Sequence, residues 1–295
     1  MFEIFGVSSQ ALFGQLLIGL INGSFYALLS LGLAVIFGML NIINFTHGAQ
    51  YMLGAFVAIF LLQYAELGYW WALIVAPLVV GATGIVIERL FLRWLYQLDH
   101  LYGLLLTFGL ALILEGTFRN FFGSSGLPYS VPPSLTGGQN LGFMFLPNYR
   151  AWVVGASLAV CLATWFVIER TKLGSYLRAA TENPTLVRAF GINVPRMITL
   201  TYGFGVGLAG LAGVMAAPIY NVSPQMGANL IIVVFAVVVI GGMGSILGAI
   251  VTGFGLGLIE GLTKVFFPEA SNTVIFVVMA VVLLIRPAGL FGRSV

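Results

Sequence analysis

The sequence predicts an all-α fold, a polytopic bundle of about eight membrane-spanning helices, and three observations carry that prediction. Hydrophobic residues make up 60% of the 295-residue chain and charged residues only 7%, against about 25% charged in a soluble domain. The apolar residues fall in runs close to the roughly 20 residues that cross a bilayer. The polar residues gather in a few segments between those runs. Twelve basic and nine acidic residues are too few to coat a soluble fold of this size, but a lipid-facing surface needs none. This excludes a soluble enzyme.

In chain order, spans are read at roughly 11–38, 48–65, 70–92, 101–122, 150–169, 197–218, 228–260 and 272–290. The second is short. The seventh is too long and too glycine-rich for one straight helix, so discontinuous helices are expected and the count lies between seven and nine. Residues 1–295 form a single transmembrane domain. The start, Met1 to Gln10, holds Glu3 and neither Lys nor Arg. It lacks the basic opening of a cleaved signal peptide and is expected to be retained. Cys161 is the sole cysteine and lies in an apolar run, which excludes an intrachain disulfide and points to packing.

Basic residues set the orientation. Arg89 and Arg93 flank the loop near 93–100, and Arg170, Lys172, Arg178, Arg188 and Arg196 fill 170–196. Two spans separate these segments, so they share a side, and the positive-inside rule makes that side cytoplasmic. The N-terminus and the loop 123–149 then lie outside. That loop carries Gly126, Pro128, Pro132, Pro133, Gly137, Gly138 and Pro147, which favour turns. It serves as a connector or as a surface for an external partner. Eight spans also place the C-terminus outside, which Arg286 and Arg293 fit poorly. The net charge of +3 reflects these cytoplasmic loops. No basic run interleaves with aromatics, which argues against nucleic acid.

The cytoplasmic segment 171–196, TKLGSYLRAATENPTLVRAFGINVPR, is too polar to span. Leu177, Ala180, Leu186, Val187 and Phe190 recur at near-helical spacing, with Arg178, Glu182 and Arg188 between them. Pro184 divides it into two short helices, and Gly191 ends the second. An amphipathic helix outside the bilayer needs a cover for its apolar face, either the membrane surface or a groove on a partner.

The run Arg178-Ala179-Ala180, Glu182-Asn183-Pro184 and Ala189 to Asn193 resembles the cytoplasmic coupling segment of branched-chain amino acid ABC-transporter permeases. Asn41 through Gly48 (NIINFTHG, with Tyr51, Met52 and Gly54 behind it) and Gly241 through Ala249 (GGMGSILGA, with Gly253 following) are similar to that family too. So are Asn22-Gly23-Ser24 at the start and Arg286-Pro287 with Gly289 to Gly292 at the end. The resemblance spans almost the whole chain in the family's order. The segment departs from the Glu-Ala-Ala box of other ABC importers, since Ala179 and Ala180 precede Glu182.

The resemblance implies the shorter of two permease types in a binding-protein-dependent importer of branched-chain or related hydrophobic amino acids, in a bacterial inner membrane. Its partners would be a second, related permease, two ATP-binding subunits and a soluble substrate-binding protein. This chain would bind no cofactor, and ATP would be used by the partner subunits. Arg178, Ala180, Glu182, Leu186, Phe190 and Gly191 would couple to the ATPases. Permeases for urea or short amides form the alternative within that class. A self-sufficient channel or secondary transporter is the alternative outside it, and would leave the cytoplasmic segment without a purpose.

Two polar or glycine-rich interruptions are candidates for the translocation pathway. Asn41, Asn44, Thr46 and His47 lie between two apolar runs. Unsatisfied polar groups in hydrocarbon cost several kcal/mol each, so they face protein, water or the pathway. Asn44 or Thr46 is suited to cap the following helix. Gly242, Gly244 and Ser245 belong to the second interruption, where glycines permit a backbone break. Each interruption lines a pathway or serves helix packing alone. Glu115–Arg119 and Glu260–Lys264 are spaced to pair on helix faces. No GxxxxGK[ST], HExxH, GxSxG or Cys/His metal spacing occurs, so neither ATP binding by a P-loop nor a metal site is expected.

Overall fold

A computed structural model describes residues 3–4, 7–40, 42–96 and 98–292. Its chain is almost wholly helical, as expected. A two-strand hairpin, β1 (Glu3–Ile4) with β2 (Val7–Ser8), leads into α1 (Ser9–Leu40), followed by α2 (Thr46–Ala65), α3 (Tyr69–Leu90) and α4 (His100–Phe122). A second hairpin, β3 (Gly138–Asn140) with β4 (Phe145–Pro147), precedes α5 (Asn148–Arg170). Then come α6 (Lys172–Glu182), α7 (Pro184–Ala189), α8 (Val194–Ala216), α9 (Met226–Gly241), α10 (Ile246–Phe266) and α11 (Val274–Ile285). Seven of these are long and apolar enough to cross a membrane, while α9 and α11 are shorter apolar helices.

The centre of the bundle is built on small residues. Between lipid-soluble helices there is little hydrophobic gain, so association relies on close backbone approach. α1 and α10 run antiparallel along such a seam: Gly19 faces Gly257 and Gly261, Gly23 faces Gly257, and Ala27 faces Gly253. α8 sits equally close to α2 at Gly54 and Gly210, and to α3 at Gly81 and Gly203. The outer layer is looser. In α4 only Gly103 and Thr107 are buried, and the large apolar side chains of α3, α4 and α5, such as Leu78, Leu105 and Phe166, point outward. This is the surface expected to meet lipid or another membrane subunit.

The single span expected at 228–260 is instead a helical hairpin. α9 ends at Gly241 and α10 starts at Ile246. The reversal needs left-handed backbone, supplied by Gly242 (φ 99°) and Gly244 (φ 82°), which glycine alone adopts readily. The two helices fold back on each other, so that Asn229 and Val233 of α9 stand beside Glu260 of α10.

The extra turn corrects the topology. Leu290 N–H donates to the Ile240 carbonyl at 2.8 Å and Phe291 N–H to that of Gly241 at 3.1 Å. Phe291 and Gly292 also line one cavity with Glu169 and Arg178. Residues 290–292 therefore lie on the side of the basic segment 170–196, the side expected to be cytoplasmic. Nine apolar helices among the described residues, seven long and two short, account for it within the expected seven to nine, and Arg286 gains the placement the positive-inside rule asks for. Arg293 lies outside the described residues.

The loop 123–149 carries more regular structure than its prolines and glycines suggest. Besides the β3–β4 hairpin, Leu127 and Val222 exchange backbone hydrogen bonds, both at 2.9 Å. The loop also folds onto the N-terminal end of the chain, with Phe13 and Phe143 ring centroids 5.6 Å apart. That contact places the N-terminus and the loop 123–149 at the same end, as the charge pattern requires.

Candidate functional site

The polar cluster before α2 is folded inward. After α1 the chain turns back through Ile42–Phe45, so that α2 begins beside the middle of α1. His47 Nε2 lies 3.0 Å from the Leu29 carbonyl. Thr107 of α4 pins the return: its hydroxyl accepts from the Phe45 N–H at 3.2 Å, and its carbonyl accepts from the Thr46 hydroxyl at 2.7 Å. Asn44 Nδ2 donates to Gln50 Oε1 at 3.3 Å. Asn44, Thr46, His47 and Gln50 are all buried among helices of this chain, shielded from any aqueous route in this conformation. Neither Asn44 nor Thr46 caps α2 with its side chain; Phe45 holds the cap position without a side-chain bond. Asn41 lies outside the described residues.

Reading the sequence missed two partners of this cluster and one buried carboxylate outside it. Gln50 sits one turn after Thr46 and His47, and that spacing was the available signal. Thr107 comes from a distant helix and carried none. The carboxylate is Glu88, which is buried and accepts from Tyr96 Oη at 2.7 Å and Thr199 Oγ1 at 2.8 Å. A buried carboxylate needs such donors.

Gly242, Gly244 and Ser245 occupy the reversal between α9 and α10. Ser245 caps α10, its Oγ accepting from Gly248 N–H at 3.1 Å. Gly244 touches Gly38, so the end of α1 rests on this turn. Gly244 and Ser245 line a cavity of about 470 Å³, together with Gly38, Glu169, Arg178 and Phe291. The cavity thus joins the break directly to α6.

The segment 171–196 forms the two short helices expected of it. Asn183 separates them and caps α7 by accepting from Leu186 N–H at 2.9 Å. Gly191, at φ 81°, follows α7. Its residues divide into two sets. Leu177, Ala180, Val187, Val194 and Met197 form a small core of their own, and Arg178 ties α6 to α5 through Glu169 and the Ile168 carbonyl, each at 3.2 Å. Ala180 and Arg178 therefore hold the segment to the bundle. Glu182, Leu186, Phe190 and Gly191 face away, with Leu186 55% and Phe190 78% exposed. Among the described residues no cluster of His, Cys, Asp and Glu could hold a metal ion.

Residues 15–283 match the family of branched-chain amino acid transport system permease components. Over 95% of both chains the sequence is 31% identical to the high-affinity branched-chain amino acid transport system permease protein LivH of Escherichia coli (strain K12). It is 32% identical over 95% of both chains to the corresponding permease BraD of Pseudomonas aeruginosa. The permease LivM of the same transport system in Escherichia coli is 28% identical over 91% of this chain and 68% of its own.

Proposed function

We infer that this chain, which belongs to the family of branched-chain amino acid transport permease components, forms the membrane pathway of an ATP-driven importer for branched-chain amino acids. It is a multi-pass membrane protein, and a bacterial inner membrane is its proposed location. One observation carries the reading: the end-to-end similarity to permeases named for that transport. The exposed Leu186 and Phe190 at the cytoplasmic end support an ATPase as the partner there. Apolar side chains left outside a membrane domain require a cover, and a groove on each of two ATP-binding subunits would provide it. ATP would be bound and split on those subunits, and this chain would bind no cofactor. A soluble binding protein would deliver substrate at the outer end.

The similarity of this one sequence to both LivH and LivM supports a second, related permease as the other half. Within the pathway we assign Gly244 and Ser245 to the cytoplasmic gate, because the cavity they line adjoins α6, together with Gly242 of the same reversal. Asn44, Thr46 and His47 would reach the pathway only when the packing of α2 against α1 and α4 opens. The deciding experiment reconstitutes the chain with its second permease, the ATPases and the binding protein in liposomes. ATP-dependent uptake of leucine, isoleucine and valine is expected. Uptake of urea or short amides in their place, or uptake without ATPase subunits, would overturn the reading.

A further inference from the structure

We propose that a cavity between the middle of α1, the outer halves of α9 and α10 and the start of α11 is a subsite for a zwitterionic amino acid with an aliphatic side chain, with Glu260 receiving its ammonium group. The proposal deepens the transport reading and rests on it for the substrate class. The cavity holds about 250 Å³. Its polar lining comes from Tyr26, Asn229, Glu260, Ser271 and Asn272, and its carbon lining from Val233, Ile275 and Phe276, with Ile232 at the rim. It opens beside Asn229, Ile232 and Asn272, which are exposed, so a small molecule can enter.

Glu260 is only 5% exposed. Tyr26 Oη donates to its Oε2 at 2.7 Å, and Asn22 Nδ2 donates to Oε1 at 3.4 Å. Lys264, one turn along α10, pairs with Oε1. Tyr220 Oη in turn donates to Asn22 Oδ1 at 3.2 Å. Desolvating a carboxylate costs several kcal/mol, and a buried ion pair seldom stabilises more than apolar packing would. Stability therefore does not explain a carboxylate held on a cavity wall, and an ionisable residue within a span marks function by default. A carboxylate offers about four acceptor positions. Three donors occupy Glu260, and Oε2, with Tyr26 alone, retains a lone pair for an ammonium. The amide N–H groups of Asn229 and Asn272 suit the ligand's carboxylate, and Val233 and Ile275 suit a branched aliphatic chain. An amine or a fatty acid would satisfy only part of this lining.

The single native thiol makes the test direct. Cys161 is fully buried, so Ile232→Cys, at the exposed rim and outside the proposed polar contacts, places one accessible thiol at the cavity mouth. In the complete importer, leucine is expected to slow maleimide labelling of that thiol, while isopentylamine and isocaproate, each with half the polar groups, do not. Glu260→Gln should raise the leucine concentration needed for protection at least about tenfold, the loss expected for a charge-assisted contact. If that variant fails to assemble, Val233→Phe serves instead: protection by leucine should vanish and protection by glycine remain. An importer that takes up leucine but shows no protection, or undiminished protection in the variant, overturns the subsite alone. An importer that takes up no leucine overturns the transport reading and the substrate named here with it.

Discussion

At the residue scale, tolerance follows what surrounds each side chain. A Cβ on Gly257 would meet the Gly19 carbonyl and the backbone of Gly23, and backbone cannot yield as a flexible side chain can. Gly257→Ala should separate α1 from α10 and lower the thermal midpoint of the purified permease, at a cost of about 1–3 kcal/mol. Gly255→Ala is the control on the same helix: no atom lies within 4 Å of its added Cβ, so the midpoint should hold or rise slightly with the better helix former. His47 fills space against Gly32 and bonds to the Leu29 carbonyl. His47→Ala should cost about 2 kcal/mol or more in stability through the cavity and the lost bond. Reduced leucine uptake with an unchanged midpoint would instead place His47 on the pathway.

At the element scale, α6 and α7 work as one unit with an inner and an outer side. Phe190→Ala and Leu186→Ala remove exposed carbon and should leave the permease's own midpoint unchanged. If they anchor an ATPase groove, each should lower ATP hydrolysis stimulated by loaded binding protein roughly tenfold, as loss of a central interface anchor does. Full stimulation in both variants would remove the docking assignment. Arg178 behaves differently. Its pair with Glu169 is 39% and 41% exposed on the two sides, so breaking it should cost under about 1 kcal/mol in stability. Arg178→Ala is expected to loosen α6 from α5, weakening transport per ATP hydrolysed rather than hydrolysis itself.

At the scale of the whole molecule, the reversal at Gly242–Ser245 decides which way the chain ends. A fluorescent protein fused to the C-terminus should fold and fluoresce in the cytoplasm, while alkaline phosphatase at the same point should stay inactive. Phosphatase placed in the loop 123–149 should be active. The opposite pattern would refute nine passes. One chain offers one cytoplasmic segment, and force applied symmetrically across a pathway needs two. Native mass of the assembled importer is therefore expected to show two permeases, this chain and a related one, over two ATPases. Closed two-fold arrangements are the common solution for such assemblies.

The sequence by itself determined what depends on local composition. The length of the apolar runs set the helices, the basic residues from Arg170 to Arg196 set the orientation, Pro184 and Gly191 set the bounds of α7, and the motifs set the family. What the tertiary structure decided depends on partners far apart in the chain. Glycines 241 to 248 signalled a break, but a break and a hairpin look alike locally. Only the contacts of α9 with the outer end of α10, and of Leu290 with Ile240, distinguish them. The same holds for side chains within one motif. Ala180 and Phe190 share an amphipathic pattern, yet one is buried against Val194 and Met197 and the other is exposed, because helical period gives a face and not the neighbour that covers it. Glu260 and Lys264 could be paired from their spacing, but the Tyr26 hydroxyl and the cavity beside them come from helices more than two hundred residues apart in sequence, brought together only by close packing of the α1–α10 seam.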